Sequence, residues 1–348
     1  MKLQDVPRRS RVQTIRSPAL FLGELQVVES DRSRCSRWLS GTRLKSLLIP
    51  LLHGTLRRAP TALAIAQVRL MVGVMRLLYW RRSNALRLAC ERLSRVASEH
   101  GRHHSPRQIY RQYLANFVGV AENFFRLYRG DVEAVLERIE LPGDGVEMVR
   151  RLLSSNGSLV LAVPHNIASA FSALGLNRAF PLLVVAKNSS TVARTRIALE
   201  MFERMQVQVL MVRGGNPFEL SRALFRSLGS GRVVVATLDN VDRSPAACRC
   251  TVFGQPVGLA RWAAKVAARR AIPVVPAYFC SRGERIRVVF GEPLVAGEAE
   301  TLVEGYTRFF ERNLLDDPAS WAYLGDKHWQ GVLRAADQAL QSASPRQA

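Results

Sequence analysis

The amino-acid sequence predicts an α/β protein whose mainly parallel central sheet is flanked by helices and preceded by a largely helical region. Three observations carry this expectation. From about residue 145, short β-rich runs recur at 158–163, 182–186, 207–212, 233–238, 272–279 and 286–290. These runs are continuously apolar, which is the pattern of strands buried on both faces. Helical stretches at 191–205, 217–228 and 259–270 lie between them, and strands alternating with helices favour a parallel sheet covered on both sides. With 348 residues, 48% of them hydrophobic, the chain can bury a sizeable core and is not of disordered composition.

The elements follow in order along the chain. Residues 1–58 hold twelve Lys/Arg against four Asp/Glu, 12 − 4 = +8, with Ser/Arg-rich runs and a short apolar patch at 44–52. This composition predicts a flexible basic arm. Its cations are not followed by the apolar stretch and small-residue cleavage site of a secretory signal. Residues 59–140 are expected to be helical and to associate with a membrane. Within them Thr61–Trp80 is about long enough to span a bilayer, but it carries Gln67, Arg69 and Arg76. Arginine at the centre of a spanning helix costs a few kcal/mol, so spanning is disfavoured. Arg69 and Arg76 are seven apart and therefore about 20° from each other around a helix. An apolar face beside a cationic stripe ending in Trp80-Arg81-Arg82 fits an interfacial helix lying among lipid headgroups. The plain alternative is a core helix with its arginines at the rim. Helical pattern continues through 84–140, broken at 100–105 and near Gly130. Residues 141–330 form the expected α/β domain and 331–348 a C-terminal tail.

Charge narrows the partners. The formal net charge is +22, and of 50 Lys/Arg only five are lysine, leaving 50 − 5 = 45 arginines. Part of that excess is a genome-composition effect, but only 28 Asp/Glu oppose it. A cationic surface attracts nucleic acid, an anionic membrane leaflet or an acidic carrier. Aromatic residues are only 7% and do not interleave with basic ones, so no specific nucleic acid is expected. Five scattered cysteines do not form a disulfide framework and suit a reducing compartment. Cys248 and Cys250 are too close together for a usual zinc pair. There is no G-x-S-x-G elbow, no G-x4-G-K-[ST] loop, no H-E-x-x-H helix and no G-x-G-x-x-G turn after a strand. No metal and no cofactor is expected.

The first strand of the α/β region runs into His165-Asn166. Sites in α/β folds gather beyond the carboxyl ends of strands, and a histidine there can act as general base toward a hydroxyl. A structural histidine at a strand end is the plainer alternative. Arg213-Gly214-Gly215-Asn216-Pro217 leaves a strand and opens a helix, where backbone N–H groups can meet an anion; a simple tight turn is equally consistent. Lys187 and Asn188 occupy another strand end. Arg261, Lys265, Arg269 and Arg270 recur at helical spacing, as a solvated face does.

The order of these features resembles a known family. A strand into His165 is followed by Lys187-Asn188 leading a helix with Arg204, then a strand into Arg213-Gly214-Gly215. Thr237-Leu238-Asp239-Asn240, Val252-Phe253-Gly254, Ile272-Pro273-Val274-Val275-Pro276 and Pro318-Ala319-Ser320-Trp321 complete the series. In this order and spacing the chain is similar to the late acyltransferases of lipid A biosynthesis, the lauroyl and myristoyl transferases within the lysophospholipid acyltransferase superfamily. The resemblance covers the last two-thirds of the chain strongly and the preceding helical region weakly. It implies transfer of an acyl group from acyl carrier protein or acyl-CoA to a hydroxyl of a membrane lipid, at the cytoplasmic face of the bacterial inner membrane. It also implies that the Asp239-Asn240 stretch contributes to the acceptor site; Asn166, Ser169, Lys187, Asn188, Arg213 and Gly214, at the neighbouring strand ends, are the other expected substrate-binding residues.

One departure stands out. Members of that family pair the histidine with an acid five positions later, and here that position is Ala170. His53, His100, His103, His104 and His328 are followed at the same spacing by Arg58, Ser105, Gln108, Ile109 and Leu333. In serine proteases, neutralising the acid behind the catalytic histidine costs about 10⁴ in turnover. Ser169 can accept a hydrogen bond but cannot stabilise an imidazolium as a carboxylate does. Asp239, at the end of another strand of the same sheet, is the other acid able to reach the crevice. Three expectations follow from the sequence: a weakened enzyme, a rewired enzyme using His165 with Asp239 or with another acid not identifiable from sequence, or a lipid-binding pseudoenzyme.

Overall fold

A computed structural model describes residues 10–30, 54, 58–189, 191–213, 216–295 and 297–343. The centre is a seven-stranded sheet. In chain order its strands are β3 (Ile139–Glu140), β4 (Leu159–Val163), β5 (Leu182–Ala186), β6 (Gln208–Met211), β7 (Val233–Thr237), β10 (Val274–Arg282) and β11 (Arg285–Phe290). Their spatial order is β3-β11-β10-β4-β7-β5-β6. Strands β10, β4, β7, β5 and β6 are mutually parallel, and β11 returns antiparallel to β10. The α/β class and the mostly parallel sheet expected from the sequence are therefore present. The fully buried β4 explains its unbroken apolar run, because Leu159, Leu161 and Val163 enter one core and Val160 and Ala162 the other.

The connections wind in two directions. From β4 the chain passes through α6 (Ser169–Ala179) to β5, and through α7 (Val192–Arg204) to β6, moving outward on one face. It returns through α8 (Pro217–Gly229) to β7 on the other face. From β7 it crosses β4 to reach β10, by way of a separate hairpin of β8 (Cys248–Val252) and β9 (Gln255–Leu259) and the helix α9 (Trp262–Arg270). Strands β4 and β7 are neighbours whose outgoing connections diverge, which opens a crevice beyond their carboxyl ends. The β8–β9 turn, Phe253-Gly254, has φ of 53° and 71°, and two positive φ angles are what a two-residue type I′ hairpin needs.

The helical region before the sheet shares its core. It comprises α1 (Thr61–Leu77), α2 (Ala85–Glu99), α3 (Pro106–Tyr128) and the short α4 (Val132–Leu136). Leu93, Tyr110 and Leu114 from this region join β-strand, α9 and α10 (Ala299–Asp316) residues in a single cluster. Asn84 caps α2 by accepting from the N–H groups of Leu86 and Arg87. Helix α5 (Gly143–Asn156) precedes β4 and ends on Gly157 in the left-handed conformation. The last helix, α11 (Lys327–Ala343), runs on through residues expected to be tail, because Trp329, Leu333 and Ala336 are buried in the same cluster.

Residues 10–30, which fall in the stretch expected to be a flexible arm, form a β-hairpin of β1 (Ser10–Arg16) and β2 (Glu24–Ser30). Its turn region caps the outer edge of the sheet: the Phe21 N–H donates to the Val209 carbonyl (3.0 Å) and the Val209 N–H to the Ala19 carbonyl (2.8 Å). Edge strands need such covering. The other residues of the proposed arm, and the end of the tail from 344, lie outside the described residues, as does the apolar patch at 44–52.

Helix α1 packs along α3 with Ala64 and Val72 buried, and Arg69 pairs with Glu122 of α3 at 2.7 Å. Its outward face shows Leu63, Leu70, Met71, Val74 and Leu77, followed by Leu78 and Trp80. Among the described residues, Thr61–Trp80 is the one helix long and apolar enough to cross a membrane.

Where α3 meets the β10–β11 turn the backbones nearly touch. A Cβ on Gly119 would sit 2.0 Å from the Gly283 carbonyl carbon, and Gly283 itself holds φ at +63°. Gly119→Ala is expected to lower unfolding free energy by about 3 kcal/mol, since backbone cannot rotate away as a side chain can. Urea denaturation measures this; a loss below about 0.5 kcal/mol, the range of an ordinary surface substitution, would show that the two backbones separate freely.

Candidate active site

The carboxyl ends of β4 and β7 bring two expected residues together. Val163 pairs with Thr237, and His165 and Asp239 each lie two residues beyond that pair. Pro164 has no N–H and ends the ladder on its strand. The His165 Nδ1 lies 2.5 Å from Asp239 Oδ1, and the His165 backbone N–H donates to Oδ2 at 2.9 Å. The Trp321 indole N–H donates to the same Oδ2 at 3.0 Å. Both definite partners of Oδ2 are N–H donors, which suits an acceptor-only carboxylate. A carboxylate oxygen can only accept, so opposite it Nδ1 is the donor of a neutral ring and Nε2 the nitrogen left with a lone pair. Asp239 is fully buried, whereas 29% of the His165 side chain is exposed. The acid is inside and the base faces the crevice.

A C-terminal segment closes around the pair. The Trp329 indole donates to the Asp239 carbonyl at 2.9 Å, and Trp321 and Trp329 meet edge to face with ring centres 5.1 Å apart. Tyr323 stacks on the His165 ring, with centres 4.2 Å apart and planes at 20°. Its hydroxyl donates to Asn240 Oδ1 at 3.3 Å. Burial, then the nearby charges of Asp239 and Asp326, push the Tyr323 phenol well above its ordinary range, so it stays protonated as that donor. The backbone repeats the contact: the Ala322 N–H donates to the His165 carbonyl (2.7 Å) and the Ile167 N–H to the Ser320 carbonyl (2.9 Å).

This segment is itself pinned from two sides. Asp317 accepts from Arg282 (2.7 Å) and from the Ser320 hydroxyl (2.6 Å), and the Tyr278 hydroxyl donates to the Asp317 carbonyl (2.9 Å). From α3, Asn116 donates to the Ala319 carbonyl and Tyr113 to the Ala322 carbonyl.

The remaining expected residues have distinct roles. Asn166 is buried and structural: its amide donates to the Ser320 carbonyl, and its Oδ1 accepts from the Phe279 N–H. The Ser169 hydroxyl is occupied by the Asn166 backbone, accepting from its N–H (3.0 Å) and donating to its carbonyl (2.8 Å). It opens α6 and does not serve His165. Asn188 is buried and accepts the Arg213 backbone N–H at 2.9 Å, tying the ends of β5 and β6 together. The Lys187 and Arg213 side chains at those ends are exposed. Gly214 lies outside the described residues. Asn240 is exposed beside Tyr323.

Sequence reasoning missed Trp329 and Tyr323 as site residues and treated Trp321 only as part of a signature. The signal available was three aromatic residues within 321–329 in a chain that averages 7%. Neither a scan against protein-family models nor a search of curated proteins finds a match to this chain.

Trp321→Phe removes one of the two donors on Asp239 Oδ2 while keeping an aromatic ring. The buried carboxylate is then under-satisfied, and a loss of about 1–3 kcal/mol in unfolding free energy is expected. Chemical denaturation beside Trp329→Phe reads it, and a Trp321→Phe protein as stable as the parent would mean that Asp239 does not depend on that donor.

Proposed function

We propose that this protein transfers a fatty acyl group from a carrier thioester to a hydroxyl of a membrane lipid, with His165 as general base and Asp239 as the acid that orients it. The observation that carries this reading is the His165–Asp239 pair at 2.5 Å, with the acid buried and the base half-open. The acid is absent from the position five after the histidine, where Ala170 stands, but the imidazole does not lack one. This favours a working enzyme with a relocated acid over a weakened enzyme or a pseudoenzyme.

The chemistry follows from the geometry. The Nε2 lone pair takes the proton of the acceptor hydroxyl as its oxygen attacks the thioester carbonyl. The ring becomes an imidazolium, stabilised by the adjacent carboxylate and by the Tyr323 ring stacked on it. Collapse of the tetrahedral intermediate breaks the carbon–sulfur bond, and Nε2 returns its proton to the leaving thiolate. Arg213 and Lys187, exposed at the ends of β6 and β5, are cations available to a phosphate of either substrate.

The donor is acyl carrier protein or acyl-CoA, both anionic and matched to a chain of net charge +22. Association with the cytoplasmic face of the inner membrane rests on α1, whose outward face keeps Leu70 and Leu77 about 70% exposed, at 72% and 70%. An apolar helix face of that kind favours an interfacial position.

In an acyl-transfer assay on membranes with labelled acyl donor, His165→Ala and Asp239→Asn are each expected to lower turnover by about 10³–10⁴ with the fold intact. Ala170→Glu is expected to change turnover by no more than a few fold, since Nδ1 is already engaged. Transfer unaffected by His165→Ala, or transfer that appears only in Ala170→Glu, would overturn this assignment.

A further inference from the structure

We propose that the cavity between the C-terminal half of α1 and the first turns of α3 is a phosphate site for an anionic membrane lipid, held by Arg76, Arg107 and Arg111. It deepens the reading given above and rests on it in taking the surface as bilayer-facing. The cavity, about 430 Å³, is lined by these three arginines together with Gln108 and Gln112. Among the described residues, none of the three has a carboxylate within ion-pair distance. The contrast with the adjoining cavity is direct, because there Arg69 is neutralised by Glu122 at 2.7 Å. Arg107 and Arg111 stand one helical turn apart on α3, an arrangement that repels in the absence of an anion. All three side chains are exposed.

The cationic cavity borders the exposed apolar face of α1. Trp80, 70% exposed, closes that face, and the Arg107 guanidinium lies 5.6 Å from its ring centre. An indole that is apolar on one side and beside a cation on the other is the arrangement that sits at headgroup depth. With α1 lying in the interface, Leu70, Val74 and Leu77 meet acyl chains while the arginines meet phosphate. Guanidinium groups suit that ligand, since each offers a planar fork of donors to phosphate oxygens. A soluble acidic carrier would match the charge but would leave the apolar face in water, so the bilayer is the occupant the surface favours.

The test is co-sedimentation of the full chain with phosphatidylcholine vesicles containing phosphatidylglycerol. Arg76→Gln/Arg107→Gln/Arg111→Gln is expected to bind on the order of a hundredfold more weakly, at about a factor of five per arginine. The control Arg150→Gln/Arg151→Gln/Lys265→Gln removes equal charge elsewhere and is expected to bind within a few fold of the parent. The triple Arg→Lys variant at the cavity, which keeps the charge but loses the forks, is expected to bind more weakly than the parent and more tightly than the triple Gln variant, and the single Arg111→Gln is carried alongside in case the triple Gln variant is unstable. Equal losses in both Gln triples would overturn the site in favour of diffuse surface charge. So would loss of binding to acyl carrier protein with vesicle binding intact. His165→Ala is expected to bind vesicles normally, so failure of the lipid site and failure of the acyl-transfer reading are separately visible.

Discussion

A fully buried carboxylate organises this molecule. Taking a carboxylate out of water costs several kcal/mol unless donors replace its hydration. The donors come from the end of β4, through the backbone and imidazole of His165, and from Trp321 in the C-terminal segment. Trp329 of α11 fixes the carbonyl of the same residue. Two adjacent strand ends, a pair of short 3₁₀ turns and the last helix therefore converge on one side chain. Each would lose its alignment if the others moved. The histidine inherits that rigidity, and its one open nitrogen is what the crevice presents.

The support extends outward in layers. Asp317, Ser320 and Asn166 knit the C-terminal segment to β10, and α3 holds it from above through Asn116 and Tyr113. Helix α1 packs on α3, and α3 packs on the turn at Pro318–Ser320, so the apolar face and the arginine cavity are joined to the His165–Asp239 pair through a single helix and a short turn.

Much of the sheet was legible in the sequence, because strands buried on both faces must be continuously apolar and leave no competing pattern. Run 182–186 coincides with β5, and the others differ by one to three residues at their ends. The β1–β2 hairpin was hidden because β1 sets only Val12 and Ile15, three apart, among polar residues, and so lacks the alternation of a half-buried strand. The short β8–β9 hairpin was hidden for a related reason: Arg249 and Thr251 face outward between inward Cys248, Cys250 and Val252. For the site, His165 and Asp239 were each visible as strand-end residues. Their meeting was not, since it depends on two strands 74 residues apart in sequence becoming neighbours in register. Ser169 was expected within reach of His165, yet the start of α6 consumes its hydroxyl locally. Short polar side chains at helix starts commonly do this.

The claim that Asp239 sets the state of His165 is most directly tested by nitrogen-15 NMR of the ring, at a pH where it is neutral, in the parent and in Asp239→Asn. With Asp239 present, Nδ1 should carry the proton and Nε2 should show the shift of a bare, acceptor nitrogen. In Asp239→Asn, the side-chain oxygen is claimed by the His165 and Trp321 N–H groups. The amide NH₂ then faces Nδ1, and the proton should move to Nε2. A ring that carries its proton on Nε2 in the parent, or that keeps one tautomer in both proteins, would contradict the account.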